Sequence, residues 1–352
     1  MPDPVSLAEL TTLRLGGPAP ELVRAGTPEE VAEAVGSRDV LVLGGGSNLV
    51  VADAGVDVPV VRIEIGGMAR RPESAGHDES TLVTVGAGLD WDQVVAELTA
   101  DGFAELAPLA GIPGSVGATP VQNVGAYGAE VADFLAGVTV FDRRAGRIVA
   151  LSAADLRLGY RSSMLRGTDR AVVLDVTFRL HRRPTGVRYA ELSRTLGVQP
   201  GGTAPGTEVR EAVLGLRRGK GMVLDPADPD TVSAGSFFTN PILDTAAFDL
   251  AVLAIGDRLG RGTMPPAFPV DGGTKLSAAW LIDRAGFGKG HQGPGGRVAI
   301  STKHTLALTN RGNGTTTDLL ALARQIRDGV QAAFGVRLEP EPVFVGVSLD
   351  ED

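Results

Sequence analysis

The sequence predicts an α+β protein of three successive units, and three observations carry that expectation. Short apolar strands alternate with amphipathic helical stretches along the whole chain. Two glycine-rich loops, Gly44–Asn48 and Gly111–Gly128, fall one in each of the first two parts. A stretch rich in Pro, Gly and Thr over residues 182–206 then sets off a third part that holds most of the lysines. At 352 residues the chain has material for two or three domains. The boundaries read as 1–65, 66–206 and 207–341, with the closing segment 342–352 a strand returning to the first part.

In the first part, Leu22-Val23-Arg24 reads as a strand. Thr27 then serves as N-cap, with Pro28 at the first helical position and Glu29 and Glu30 in the first turn, for a helix over Val31, Ala34 and Val35. Val40–Leu43 is a buried strand running into Gly44–Asn48, and Val58–Ile65 supplies another. The glycine loop is neither a Walker loop, since no lysine or helix follows it, nor G-x-G-x-x-G.

In the second part, Thr81–Ala87 alternates as a strand, and Val94, Val95 and Leu98 put a helix over Trp91–Thr99. Gly137–Phe141 and Ile148–Leu151 pair across the turn Asp142–Gly146, and Ala171–Leu180 has period two. Between the helix and the hairpin lies the long loop. It contains Gly111, Gly114, Gly117, Gly125 and Gly128 with Pro113, Pro120, Ser115, Gln122, Asn123 and one aromatic, Tyr127, and it sustains neither helical nor strand period. Glycines let a backbone approach a ligand and turn consecutive N–H groups toward an anion. Taken alone, such a loop is as compatible with tight turning as with binding. A second loop of the same character upstream favours one extended ligand gripped twice.

Residues 182–206 read as a linker with a short ordered insert around Tyr189. In the third part, Thr207–Arg218 is a helix with Val209, Val213 and Leu216 on its apolar face. Helices follow over Asp244–Leu259, Leu276–Ala285 and Asp318–Phe334, with a strand at His304–Leu308.

Composition narrows the chemistry. Cysteine is absent, which removes disulfides, thiolate metal sites and a cysteine nucleophile. His77, His181, His291 and His304 are scattered, so a histidine metal site is not expected. A net charge of −9 without a basic cluster argues against nucleic acid. The N-terminus has no basic region before an apolar core, and no run of 18 apolar residues occurs, so a soluble cytoplasmic protein is expected.

The segments Thr12–Gly17, LGGGSNLVV, GIPGSVGATPVQNVGAYG, GYRSS, AGSFFTNP, LSAAWLID and LEPEPVFVG occur in one order from end to end. In that order they resemble the UDP-N-acetylenolpyruvoylglucosamine reductase family, in its longer form and of actinobacterial type. The resemblance implies a two-subdomain FAD-binding fold of the vanillyl-alcohol oxidase type and a C-terminal α+β substrate domain. It implies non-covalent FAD, with NADPH as electron source and UDP-N-acetylglucosamine enolpyruvate as substrate, in a monomer. FAD would be met by Gly44, Gly45, Gly46, Ser47, Asn48 and Leu49, by Gly111, Ile112, Pro113, Gly114 and Ser115, and by Gln122, Asn123, Gly125, Ala126 and Tyr127.

Hydride addition to the β-carbon of an enol ether leaves charge on the α-carbon and carboxylate, and the α-carbon then needs a proton. By resemblance, Arg161 faces the carboxylate, Ser236 delivers the proton, and Glu341 assists, with Glu339 a structural neighbour. Tyr160, Tyr189, Arg217, Lys220, Asn240 and Lys275 are implied for the nucleotide sugar. Two departures from the family pattern stand out: the stretch Gly221–Thr231 is longer, and Thr305 stands where some members carry an amide. A flavin oxidase of the same fold, and a catalytically silent binder of FAD or UDP-sugar, are the alternative readings. Neither needs Arg161, Ser236 and Glu341 together.

Overall fold

A computed structural model describes residues 4–36, 38–75 and 78–350. His77 and the last two residues of the expected closing strand lie outside them. The chain forms two compact units. One holds Ala19–Gly46 and Asp57–Val223; the other holds Ser6–Pro18, Ser47–Val56 and residues 224–350.

Two sheets of three and five strands dominate the first unit. In the smaller, Val60–Ile63 lies between Leu22–Ala25 and Leu41–Leu43, all parallel, as a β-α-β crossover requires. The crossover helix α1 (Pro28–Val35) starts as the sequence dictates: the Thr27 hydroxyl accepts the Glu30 N–H at 3.2 Å and Pro28 occupies the first turn. The larger sheet is antiparallel, in the order Arg147–Ser152, Leu135–Asp142, Ala171–His181, Asp78–Gly86, Met68–Ala75. The last of these was not legible as a strand. It is an edge strand, where Pro72 interrupts no inner ladder and charged side chains face solvent.

Helix α2 (Trp91–Ala100) buries Trp91, Val94, Val95 and Leu98 in the core of this unit. Trp91 packs against Phe178 with ring centroids 5.8 Å apart, and its indole N–H donates to the Leu109 carbonyl at 3.0 Å. The stretch expected as a linker is ordered on both flanks: Thr185–Gly186 pairs with Thr203–Ala204 around α3 (Ala190–Leu196). Helix α4 (Gly206–Gly219) buries Val209, Val213 and Leu214 in the core that also holds Leu106 and Leu109.

In the second unit, Ala307–Asn310 is the centre of an antiparallel sheet with Ser233–Ser236 and Val298–Ile300. The expected strand at His304–Leu308 is thus displaced, because His304 begins the turn that returns to Ala307. The expected helix start at Leu276 is also late by two residues. Ala267–Val270 and Gly273–Leu276 form a hairpin around the two-residue turn Asp271-Gly272, with Gly272 at φ +86°. Asp-Gly between two short strands is a hairpin signal, and it takes precedence over the helical pattern that follows. Helix α5 (Thr245–Leu259) precedes this hairpin. Helix α6 (Ala278–Arg284) begins only after Ser277, whose hydroxyl caps it. The closing strand Val343–Val345 runs parallel to Leu49–Val51.

Helix α7 (Thr316–Phe334) buries Leu319, Leu322, Ile326, Val330 and Phe334. Its N-terminal donors are met by side chains. Asp53 accepts the N–H groups of Thr316 and Thr317 at 2.7 and 2.9 Å, and Thr315 and Asp318 cap each other reciprocally. Arg297 clamps the Asp318 carboxylate through Nε and Nη2 at 2.8 and 2.6 Å. That guanidinium, aided by the Thr315 bonds, holds Asp318 down at about 2. A depressed carboxylate stabilises the fold above its ordinary unfolded value and loses that contribution as pH falls through the folded one. Asp318→Asn should therefore lower the melting temperature at pH 7, by about 1–2 kcal/mol of stability. The gap to the parent should close between pH 4 and pH 2, as followed by circular dichroism melts.

Candidate functional site

The two glycine loops meet inside the first unit. A Cβ on Gly45 would lie 2.6 Å from the Gly114 Cα, and one on Gly44 would collide with the Ser115 hydroxyl. The backbones of Gly44–Gly45 and Gly114–Ser115 therefore touch where no side chain fits. Ser115 sits opposite Asp90 in an isolated bridge, closed by Trp91 N–H to Gly114 C=O at 3.0 Å and Val116 N–H to Leu89 C=O at 2.9 Å. Among the described residues, the backbone N–H groups of Gly44, Gly45, Gly46, Gly114 and Ser115 donate to no protein acceptor. These five donors lie in the two loops that meet at Gly45 and Gly114, and glycine-loop N–H groups of this kind suit a diphosphate, which is the test that FAD sets for these loops.

The start of the long loop is held by residues with no sequence signal. Gly111, at φ +71°, donates its N–H to Asp92 Oδ1 at 2.7 Å, and Arg210 clamps both Asp92 oxygens at 2.9 Å. Asp92 sits in the first turn of α2 and Arg210 on α4, so only the fold makes them neighbours. A Cβ on Gly111 would press on Leu214 and approach Arg217 Nε.

Asn123 is buried at 1 % exposure with φ +48°. Its Nδ2 donates to Glu130 Oε2 at 2.7 Å and to the Gly159 carbonyl at 3.0 Å, while its Oδ1 accepts the Ala132 N–H at 2.9 Å. The side chain expected to face a flavin is thus committed to the protein. Gln122 and the segment Gly125–Tyr127 are half-buried. Arg161 stands at the tip of a turn in which Gly159 and Ser162 exchange backbone bonds at 3.0 and 3.2 Å. Its guanidinium donates to the carbonyls of Asn123 and Gly125 at 3.3 and 2.7 Å and lies 5.4 Å from the centre of the Tyr160 ring.

Four of the residues expected to bind nucleotide sugar or flavin also gather in this unit. Tyr127 and Tyr189 meet edge to face at 5.6 Å, and Lys220 Nζ stands 5.7 Å over the Tyr127 ring while bonded to Glu191 at 2.6 Å. Arg217 donates to the Met222 carbonyl at 2.7 Å, and its buried Nε has no partner among the described residues. Burial lowers the Arg217 value and raises that of Tyr127 from their ordinary levels; the nearby Lys220 and Arg217 charges oppose the Tyr127 shift.

In the second unit, Gly235 at φ +76° makes the bulge between Ser233 and Ser236 against Ala307–Asn310. Phe237 and Phe238 are buried and pack on each other at 5.1 Å, which anchors the strand beside half-buried Ser236. The LEPE segment lies along it: Glu341 N–H donates to Phe237 C=O at 2.8 Å and Thr239 N–H to Glu339 C=O at 3.0 Å. Ser236 and Glu341 are therefore brought to one short ladder. Glu339 is exposed and pairs with Arg337, whereas Glu341 is half-buried, and Asn48 donates to the Glu341 carbonyl at 3.4 Å. Asn240 Oδ1 accepts the Ala278 N–H at 2.9 Å, so that side chain secures the start of α6. Lys275 lies on the hairpin strand Gly273–Leu276, between Ile242 and Phe268 in register.

Residues 19–152 match the family model of an FAD binding domain, and residues 226–345 match that of the UDP-N-acetylenolpyruvoylglucosamine reductase C-terminal domain. The chain is 58% identical to the UDP-N-acetylenolpyruvoylglucosamine reductase of Saccharopolyspora erythraea, over 98% of this chain and 95% of that one. It is 51% identical to the enzyme of that name from Thermobifida fusca, over 98% of each. The crystal structure of UDP-N-acetylenolpyruvylglucosamine reductase from Thermus caldophilus superposes with a TM-score of 0.66 at 27% identity, covering 97% of this chain and 98% of that one.

The glycine contact makes a direct forecast. Gly45→Ala should yield protein with under about a tenth of the parent's bound flavin, because the new Cβ must separate the loops. Flavin absorbance per mole of purified protein measures this, and a parent-like ratio would show that the loops tolerate separation.

Proposed function

Because this chain belongs to the UDP-N-acetylenolpyruvoylglucosamine reductase family, we propose that NADPH is its electron source, that it works as a cytoplasmic monomer, and that the residues below carry its chemistry. The chain is an FAD-dependent oxidoreductase whose reaction is the reduction of UDP-N-acetylglucosamine enolpyruvate to UDP-N-acetylmuramate in peptidoglycan synthesis. The single observation that carries this reading is identity above one half sustained over nearly the whole of both chains. Among the described residues no helix is long and apolar enough to cross a membrane, which accords with a cytoplasmic site.

When bound, FAD supplies a hydride from N5 to the enolpyruvyl β-carbon. The backbone donors of Gly44–Gly46 and Gly114–Ser115 hold its diphosphate, with Ser47, Asn48, Leu49, Ile112, Pro113, Gln122, Gly125, Ala126 and Tyr127 flanking it. In this reading residues 1–65, joined by 342–352, and residues 66–206 serve as the two FAD-binding subdomains, and residues 207–341 as the substrate part.

Arg161 binds the substrate carboxylate. Its guanidinium donates to the carbonyls of Asn123 and Gly125, which help to fix its direction, and its positive charge stabilises the enolate that forms. Ser236 gives its hydroxyl proton to the α-carbon, the only position that needs one after hydride addition. Glu341, held beside it by the Phe237 carbonyl, acts through hydrogen bonding, since a bare carboxylate would repel the enolate. Lys220 and Arg217 take the diphosphate of the nucleotide sugar, Lys220 exchanging its bond to Glu191 for it. Tyr160, Tyr189, Asn240 and Lys275 complete the substrate set.

An anaerobic two-step experiment tests the assignment. NADPH should bleach the flavin of Ser236→Ala at about the parent rate, while recovery on adding UDP-N-acetylglucosamine enolpyruvate slows by at least about 10³-fold, because only the second step consumes the proton. Equal slowing of both steps would remove Ser236 from the proton path.

A further inference from the structure

Asn123 belongs to no step of the mechanism above, yet it is the most completely engaged polar side chain of the long loop. It uses both amide donors and its carbonyl oxygen on three partners from two segments: Glu130 and the Ala132 N–H on one, the Gly159 carbonyl on the other. Its backbone sits in the left-handed region, which asparagine tolerates better than other residues bearing a Cβ. One of these ties, together with the main-chain carbonyl of Asn123, bears on Arg161. The bond to Gly159 pins the base of the turn on which Arg161 stands. The main-chain carbonyl of Asn123 itself, with that of Gly125, receives the guanidinium. The room for that contact is tight: a Cβ on Gly125 would lie 2.8 Å from Glu130 Cγ and 3.0 Å from Arg161 Nη1. The Asn123 amide also occupies the nearby Glu130 carboxylate.

We propose that Asn123 is the positioning residue for Arg161: its side chain fixes, at once, the turn that carries the arginine and the carbonyls on which the guanidinium rests. The inference rests on the reading of Arg161 as the group that meets the substrate carboxylate. A long cation aimed at a carboxylate loses most of its value when its direction is released, because the substrate must then bear the cost of ordering it. Asn123 would supply that order before substrate arrives.

A double-mutant cycle with Arg161→Lys tests this. Asn123→Asp keeps the shape but turns both donors into acceptors facing Glu130 and the Gly159 carbonyl. Asn123→Gly removes the side chain and keeps φ +48° accessible, so that it serves if the first variant does not fold. Each is assayed as holoenzyme for the rate of flavin recovery with UDP-N-acetylglucosamine enolpyruvate, alone and with Arg161→Lys. Expected is a slowing of about 10²-fold in the Arg161 background, shrinking to less than about threefold when residue 161 is already lysine. Equal slowing in both backgrounds overturns the proposal, since a general structural defect is additive. Failure of the parent protein to recover its flavin with this substrate would instead strike the function from which the inference starts.

Discussion

The first unit depends on one steric constraint: Gly44 and Gly45 approach Ser115 and Gly114 so closely that a β-carbon on either of the first two would collide. That contact joins a loop at the end of the parallel sheet to the long loop that follows α2, the two loops that carry the five backbone donors. Much of the surrounding structure serves to hold it. The bridge between Asp90 and Ser115 fixes one side, the Asp92–Arg210 pair fixes Gly111, and Trp91 closes the core underneath. A nest of N–H groups binds an anion only if the peptides are aimed before the ligand arrives, and these supports supply the aim without adding a side chain to the nest itself.

The same economy marks the catalytic candidates. Arg161 is held by carbonyl oxygens, which orient a guanidinium by hydrogen bonds at little cost to its net charge. Ser236 follows a glycine bulge and precedes two buried phenylalanines, so its strand is anchored on one side and bent on the other. Glu341 reaches that strand through a backbone bond to the Phe237 carbonyl. In each case main-chain groups of the local fold help to set the residue's position.

What the sequence made legible follows from how local each signal is. The glycine loops, the Thr27 cap and the helical period of α2 are local, and the structure has them where the residues put them. Motif order in turn placed Ser236 and Glu341 in segments that prove to be adjacent. The edge strand Met68–Ala75 escaped because its Pro and charges suit an edge, a status that only the assembled sheet confers. The Asp271-Gly272 hairpin was a readable signal overruled by a neighbouring helical pattern. Asp92, Arg210 and Glu130 could not be found by inspection, since each acts on a partner at a distance in the chain or through one bond to a loop. Asn123 was legible as a flavin candidate, and its partners Glu130, Gly159 and Ala132 were not, since only the folded chain brings them to its side chain.

The central claim is that the backbone donors of the two glycine loops hold a diphosphate. The measurement that tests it most directly is competition against FAD by two ligands that differ only in that group, ADP and adenosine, on the flavin-stripped protein. If the loops bind as described, ADP displaces FAD at a concentration at least about 100-fold lower than adenosine does, a difference that several charge-assisted bonds readily supply. If adenosine competes as well as ADP, the N–H groups around Gly45 and Gly114 bind no phosphate and the account of the site is wrong.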